Sequence, residues 1–338
     1  MKKPRYCIEV WGRDYDRLKD TCLTAEEMGY YGFFYGESLT DLDLDCWTVL
    51  SALIPLTKTI KLGPVITYIN PKYRSLALLA KQSITFQDIS DGRLEFRTGA
   101  GAASEYSVSW WEPYGIEYPD SQIRIDLFEE GLYLFWKFVG KNGLMEVEKS
   151  DSSLSTSINS NDNPFGSIDT IYHDGAYFRA NGATMAKPKA NIPITIAAKS
   201  IRMLQIAAQY ADIWESSYLS PNQFFSAKRK FDDILQSESN TALSVGKNNS
   251  SCQPKRSIEL DVIIAESDKE VENKKKILAK ERGLGAYKQV IQRGLVGTPT
   301  EIQTMVSTYA SLGVDQFLLA FQDPLDIKSI ELFMKSVK

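Results

Sequence analysis

Three short stretches of this chain bring together residue types that can hold a ligand. In the first, the apolar run PITI passes through Ala-Ala-Lys-Ser into the amphipathic IRMLQIAAQY. Small side chains there let a ligand approach the backbone, and Ser200 can cap the helix that follows. The unpaired N–H groups and dipole of a helix start favour a phosphate, and Lys199 adds charge. Ala198, Lys199 and Ser200 are therefore candidates to hold a cofactor phosphate, with an ordinary serine-capped turn as the alternative. The second stretch is Thr98-Gly99-Ala100-Gly101, where Gly99 and Gly101 permit positive φ and close approach to a flat ligand, or simply loop flexibility. Glu105 beyond it is a pocket carboxylate or a solvated loop residue. The third is Gly36-Glu37-Ser38, whose acid either accepts from a ligand donor or forms a structural ion pair. Trp11, Tyr68, Trp110, Trp111 and Tyr114 supply aromatic surface of the kind that lines cofactor pockets.

What the chain lacks is equally informative. Its single histidine, His173, sits in the polar stretch IDTIYHDGAYF and reads as an exposed bystander. Neither a Ser-His-Asp triad nor a multi-histidine metal centre is supported, and no metal site is expected. Cys7, Cys22, Cys46 and Cys252 are dispersed without a CxxC pair, which fits reduced thiols. Lys+Arg 39 against Asp+Glu 43 leaves a formal charge of −4, so nucleic acid is not an expected partner. MKKPRYCIEV carries no apolar signal stretch and no run of 18 apolar residues follows, so no membrane association and a cytoplasmic location are expected.

The elements that must position these residues alternate regularly. Strands are predicted at Tyr6–Val10, Phe33–Tyr35, Ile60–Thr67, Leu94–Thr98, Ile194–Ala198, Asp212–Ser216, Ile258–Ala265 and Gln316–Phe321. Helices over about Asp14–Met28, Cys46–Leu56, Leu76–Ile89, Ile123–Phe138, Ile201–Tyr210, Pro221–Leu235 and Ile327–Val337 separate or follow them. Connections too long for hairpins require parallel pairing. The fold class is therefore α/β, a (β/α)8 TIM barrel with an insertion after strand 4. The chain reads as a single domain over 1–338, with a polar insertion at about 141–190 that includes KSDSSLSTSINSNDNPFGS. A doubly wound sheet is the runner-up, but its GxGxxG turn is absent after the first strand, which continues Trp11-Gly12-Arg13-Asp14. In a barrel the chemistry belongs at the C-terminal strand ends, where all three stretches fall.

LGPVITYINPKYRSLALLAKQSITFQDISDGRLEFRTGAG, PITIAAKSIRMLQIAAQYADIW and VGTPTEIQTMVSTYASLGVDQFLLAF, in this order, resemble the luciferase-like family. The resemblance spans nearly the whole chain. It implies FMN or coenzyme F420 lying across the barrel mouth, with the phosphate near Ala198, Lys199 and Ser200. It further implies ring contacts from Glu37, Ser38, Val65, Ile66, Thr67, Gly99 and Gly101. Several deazaflavin-binding members carry a non-prolyl cis peptide in the third strand, and the matching bond is Val65–Ile66. Two departures stand out: Ser38 replaces the His that follows the strand-two acid in many deazaflavin-dependent dehydrogenases, and Ala102 replaces the Glu after the strand-four GxG in the sugar-phosphate dehydrogenases. No catalytic acid or base is assigned from the sequence. The implied function is a monooxygenase or hydride-transfer reductase acting on a small organic substrate, and a non-catalytic flavin-binding or scaffolding barrel is the alternative. Family members are usually homodimers, and Val49, Leu53, Leu76 and Leu79 are expected to supply apolar surface for one.

Overall fold

Short β-branched and aromatic runs, each followed by a helix that carries the chain back to the same end, can pair only in parallel. The computed structural model describes residues 3–141, 169–240 and 253–338. Its strands are β1 (Arg5–Val10), β2 (Gly32–Gly36), β3 (Lys61–Val65), β4 (Phe96–Thr98), β5 (Thr170–Asp174), β6 (Arg179–Thr184), β7 (Ile194–Ala197), β8 (Ile213–Ser217), β9 (Lys255–Ile264), β10 (Leu295–Gly297) and β11 (Gln316–Phe321). Eight of them pair in the order β3-β2-β1-β11-β9-β8-β7-β4. Parallel bridges from Leu62 to Leu94 and from Thr67 to Thr98 bring β4 back to β3. The result is a barrel of the TIM type, and all eight strands are those expected from the sequence.

The helices are α1 (Tyr15–Met28), α2 (Cys46–Leu53), α3 (Leu76–Ile89), α4 (Ser104–Trp111), α5 (Ser121–Phe138), α6 (Ile201–Tyr210), α7 (Pro221–Asn240), α8 (Asp268–Arg293), α9 (Pro299–Ser311) and α10 (Ile327–Val337). Local chemistry sets their ends. Asp14 accepts from the Arg17 N–H at 3.1 Å to start α1, and Gly29, at φ 83°, ends it in the left-handed conformation. Pro55 cannot continue an α-helix, so α2 stops at Leu53 and Ile54–Leu56 tighten into a 3-10 turn, three residues earlier than expected.

Side chains along each barrel strand alternate between the surrounding helices and the bore. Ile8, Phe33, Leu62, Phe96, Ile196, Trp214, Leu260 and Leu319 face the helices and join the large apolar core. The bore carries Cys7, Phe34 and Leu318, together with an unusual polar set: Glu9, Glu95, Arg97, Thr195, Glu215, Ser257, Glu259, Asp261 and Gln316.

Two expectations are corrected, and part of the insertion has regular structure. Within the polar insertion, β5 and β6, two strands not predicted from the sequence, form an antiparallel hairpin anchored by Ile171 and Phe178. The stretch KSDSSLSTSINSNDNPFGS and Cys252 lie outside the described residues; Cys7, Cys22 and Cys46 are buried free thiols. His173 is not an exposed bystander: it is half-buried, with Nε2 3.1 Å from Glu130 Oε1. Val49, Leu53, Leu76 and Leu79 are buried in the chain's own core and offer no free surface.

Glu130 also accepts the N–H groups of Ala176 at 3.0 Å, Tyr177 at 3.1 Å and Phe178 at 2.8 Å. Burial alone would raise its pKa, but the Phe178 N–H, His173 and the Tyr177 N–H outweigh that and hold it below the ordinary value. A depressed carboxylate stabilises above its unfolded pKa and loses that contribution as pH falls through the folded value. Glu130→Ala should therefore cost about 1–3 kcal/mol at neutral pH. The difference from the parent, followed by denaturant melts, should shrink below the ordinary carboxylate range; a cost that persists in acid refutes the assignment.

Candidate functional site

One half of the barrel mouth, from β3 through β4 to β7, is lined by small and apolar groups. Ile66 follows β3, and the Val65–Ile66 peptide is cis. Thr67 donates its hydroxyl to Glu37, and Thr98 Oγ1 donates to the Thr67 carbonyl at 2.8 Å. Gly99 lies between Ile66 and Ala197: a Cβ placed on it would come within 3.3 Å of Ile66 Cδ1 and 3.5 Å of the Ala197 Cβ. Gly101, at φ 87°, has no room for a side chain beside the Tyr118 hydroxyl. Arg124 of α5 holds this loop by donating to the carbonyls of Ala100 and Ala102, each at 3.1 Å, and Tyr118 donates to the Ala102 carbonyl at 2.6 Å. Next to it α6 begins. Ser200 caps the helix by accepting from the Met203 N–H at 3.3 Å, and Lys199 and Ser200 are both exposed. Ala198 commits its own N–H to the Glu215 carbonyl at 3.0 Å. An anion here would therefore meet the backbone from Lys199 onward, with the first-turn N–H groups that no helix carbonyl satisfies.

The other half of the mouth, from β1 across β11 to β9 and β8, is acidic. Glu9 pairs in register with Ala320, and Ala320 in turn with Asp261, so two carboxylates flank one small residue. Glu259, two residues before Asp261 on β9, lies opposite Ser217 of β8, and the Tyr218 hydroxyl is hydrogen bonded to it. Glu9 Oε2 is shielded from solvent and has no hydrogen-bond partner. Burial first, then Glu259 and Glu215, push the Glu9 carboxyl well above the usual range, with Arg97 pulling the other way. Burial and Glu259 push Asp261 up to about 6 against the opposing charge of Arg282. Below lies Arg97, 2.5 Å from Glu95 Oε1, ion-paired with Glu215, and with its guanidinium carbon 4.4 Å from the Phe34 ring centroid. Burial opposes its charge, but Glu215 and Glu95 prevail and hold it firmly protonated.

The structure thus gathers Val65, Ile66, Thr67, Gly99, Gly101, Ala198, Lys199 and Ser200 along one arc of the mouth. Glu37 is buried in an ion pair with Arg74, and Tyr73 donates to the same carboxylate oxygen at 3.3 Å. Ser38 donates to Asp43 at 2.9 Å, and Asp43 also accepts the Gly12 N–H at 3.2 Å. Glu105 is exposed in the first turn of α4. Of the aromatic candidates, Trp111 is buried between Tyr68 and Tyr73, at ring-centroid distances of 4.6 and 4.9 Å, whereas Tyr114 is half exposed. Sequence reasoning pointed to the C-terminal strand ends, which hold Glu9 and Glu215, but gave neither a role and did not reach Glu259 or Asp261. Their signal was the recurrence of Glu and Asp at alternate positions of strands otherwise rich in apolar residues.

A parallel eight-stranded barrel whose mouth joins an arc of small residues, beside a helix start, to a wall of buried carboxyls has the (β/α)8 architecture, in which chemistry sits at that end. The chain belongs to the luciferase-like monooxygenase family, whose model matches residues 7–316. It is 28% identical over 189 residues to the 5,10-methylenetetrahydromethanopterin reductase of Archaeoglobus fulgidus, an alignment covering 55% of this chain and 45% of that relative. The chain therefore matches less than half the length of this curated relative. Among solved structures, an F420-dependent secondary alcohol dehydrogenase in complex with an F420–acetone adduct superposes with a TM-score of 0.74 at 16% identity, covering 100% of both chains. The EDTA monooxygenase of Chelativorans sp. BNC1 gives 0.72 at 15% identity, over 99% of this chain and 93% of that one. At those identities the likeness is one of fold. No helix among the described residues is long and apolar enough to cross a membrane.

Proposed function

We propose that the chain is an oxidoreductase that binds FMN or coenzyme F420 across the barrel mouth and transfers a hydride between it and a small organic substrate. The observation that carries this reading is the two-sided mouth. On the β3–β4–β7 side, Gly99 packs against Ile66 and Ala197 with no side chain of its own, leaving bare backbone at a strand exit that a flat ring can approach. Lys199, Ser200 and the first turn of α6 fit a phosphate beside it. When bound, the cofactor supplies the hydride chemistry that no side chain here can. The chain's own part is placement and the proton. Glu9, whose Oε2 is shielded without a hydrogen-bond partner and whose carboxyl is pushed up by burial and by its acidic neighbours, would supply that proton to a substrate heteroatom.

Titrating the purified protein with FMN and with F420, whose absorption bands are separable, tests the reading and distinguishes the two. Lys199→Glu places a negative charge beside the phosphate. It should weaken binding at least tenfold, about 1.4 kcal/mol. Binding of neither cofactor overturns the proposal, and unchanged affinity in Lys199→Glu removes the phosphate assignment.

One domain over the whole chain, a cytoplasmic location and a homodimer complete the proposal. The surface for the dimer is not the one expected from the sequence. On α3 it is Leu78 and Ile89, 52% and 59% exposed, that lack cover. Light scattering should give close to twice the chain mass of 38.1 kDa, and a value near one chain mass at micromolar concentration counts against the dimer.

A further inference from the structure

The wall formed by Ile66 and Thr67 has no regular strand behind it, because β3 ends at Val65. What holds it comes from the side. Thr67 gives its hydroxyl to Glu37 at the end of β2, and the same carboxylate takes Tyr73 at 3.3 Å and an ion pair from Arg74. Both partners are sheltered, Glu37 with 3% and Arg74 with 11% of its side chain exposed. Tyr73 and Arg74 lie in the turn that leads into α3, and their N–H groups both donate to the Asn70 carbonyl at 3.0 Å. Glu37 therefore ties the two ends of the segment from Thr67 to Arg74 to one point on the barrel rim.

We propose that Glu37 and Arg74 are a positioning pair that fixes the Ile66–Thr67 wall of the cofactor slot, so that Glu37 acts on the cofactor through Thr67 and not as a ligand. Both oxygens of Glu37 are already engaged within the chain, which leaves the carboxylate poorly placed to accept from a ring. Thr67 is the one partner of the pair that adjoins the slot: its N–H donates to the Arg97 carbonyl at 2.9 Å and its carbonyl accepts from Thr98, immediately before Gly99. This inference rests on the slot being the cofactor seat proposed above, but its first measurement does not need the cofactor.

Amide hydrogen exchange of the cofactor-free protein reads the wall directly. Glu37→Gln and Thr67→Val should each speed exchange across residues 66–74 at least tenfold, whereas Thr67→Ser, which keeps the hydroxyl, should retain the parent's protection. Unchanged protection in Glu37→Gln and Thr67→Val overturns the proposal, and so does loss of protection in Thr67→Ser equal to that in Thr67→Val. The second measurement uses the cofactor that binds the parent protein. Glu37→Gln and Thr67→Val should each weaken binding several-fold and shift the bound cofactor's absorption band in the same direction, and the double variant should be no worse than either single one. Additive losses mean that Glu37 touches the cofactor itself, and overturn the indirect role. If the parent binds neither FMN nor F420, the functional reading fails while the exchange result still decides whether Glu37 and Arg74 hold the wall.

Discussion

Replacing Glu9 by Gln should lower kcat by about 10²- to 10⁴-fold, the range over which a positioned general acid contributes. Gln keeps the size and polarity of the side chain and removes only the transferable proton, so the cofactor dissociation constant should stay within about twofold of the parent's. The pH dependence follows from the direction of the shift. Burial, Glu259 and Glu215 raise the Glu9 pKa, so the donor form persists through the ordinary carboxylate range and is lost as pH climbs past the raised value. Activity in the reducing direction should fall on that alkaline side. Glu259→Gln removes a like charge and lowers the Glu9 pKa, so it should move the same limb to lower pH. A raised carboxyl pKa also means that ionisation destabilises the fold, so Glu9→Gln is not expected to melt earlier near neutral pH. A variant with full kcat would sink the assignment; one with low kcat and an unfolded spectrum would leave it to the Glu259→Gln shift, which an inert Glu9 cannot produce.

The barrel was legible because its strands obey local rules: short β-branched or aromatic runs, ended by Gly or Pro, separated by stretches with helical spacing. The slot was legible for a similar reason, since Gly99, Gly101 and the Ala-Ala-Lys-Ser turn are small residues at strand exits, where a backbone must come close to something. The acidic wall was not. Glu9, Glu215, Glu259 and Asp261 sit on three strands far apart in sequence, and a Glu alternating with Ile and Val in a strand normally faces water. Only closure of the barrel turns that polar face inward, with β11 setting Glu9 opposite Asp261 through Ala320. The hairpin escaped because TIYHD and RANGAT are mostly polar. It is held by Glu130 from α5, a contact spanning more than forty residues that no local pattern announces. The same carboxylate explains why His173 is half-buried in so polar a stretch. Val49 and Leu53 misled in the opposite direction, because an apolar helix face looks the same whether its neighbours in the chain or a second subunit cover it.

Removing the Arg97 charge should be the most damaging single change to the fold. Arg97→Met strands two carboxylates in the bore, Glu95 and Glu215, neither with appreciable exposure. Losing one member of such a buried pair costs about 3–5 kcal/mol, because the remaining charge keeps its desolvation penalty without its partner. The rest of the network cannot absorb the loss. Glu95 already takes Thr195 at 2.9 Å and Gln316 at 3.1 Å, and Glu215 takes Ser257 at 2.9 Å, all neutral donors. Denaturant midpoints should show the full cost at neutral pH. Part of it should return in acid, where stranded carboxylates take up protons and the folded state binds more of them than the unfolded one. The triple variant Arg97→Met, Glu95→Gln, Glu215→Gln should recover most of the stability, since it removes the charges together. If Arg97→Met costs less than about 1 kcal/mol, the size expected of an exposed pair, then water reaches the bore and the network is not dry. That outcome would also weaken the case for Glu9, whose raised proton affinity depends on the same absence of solvent.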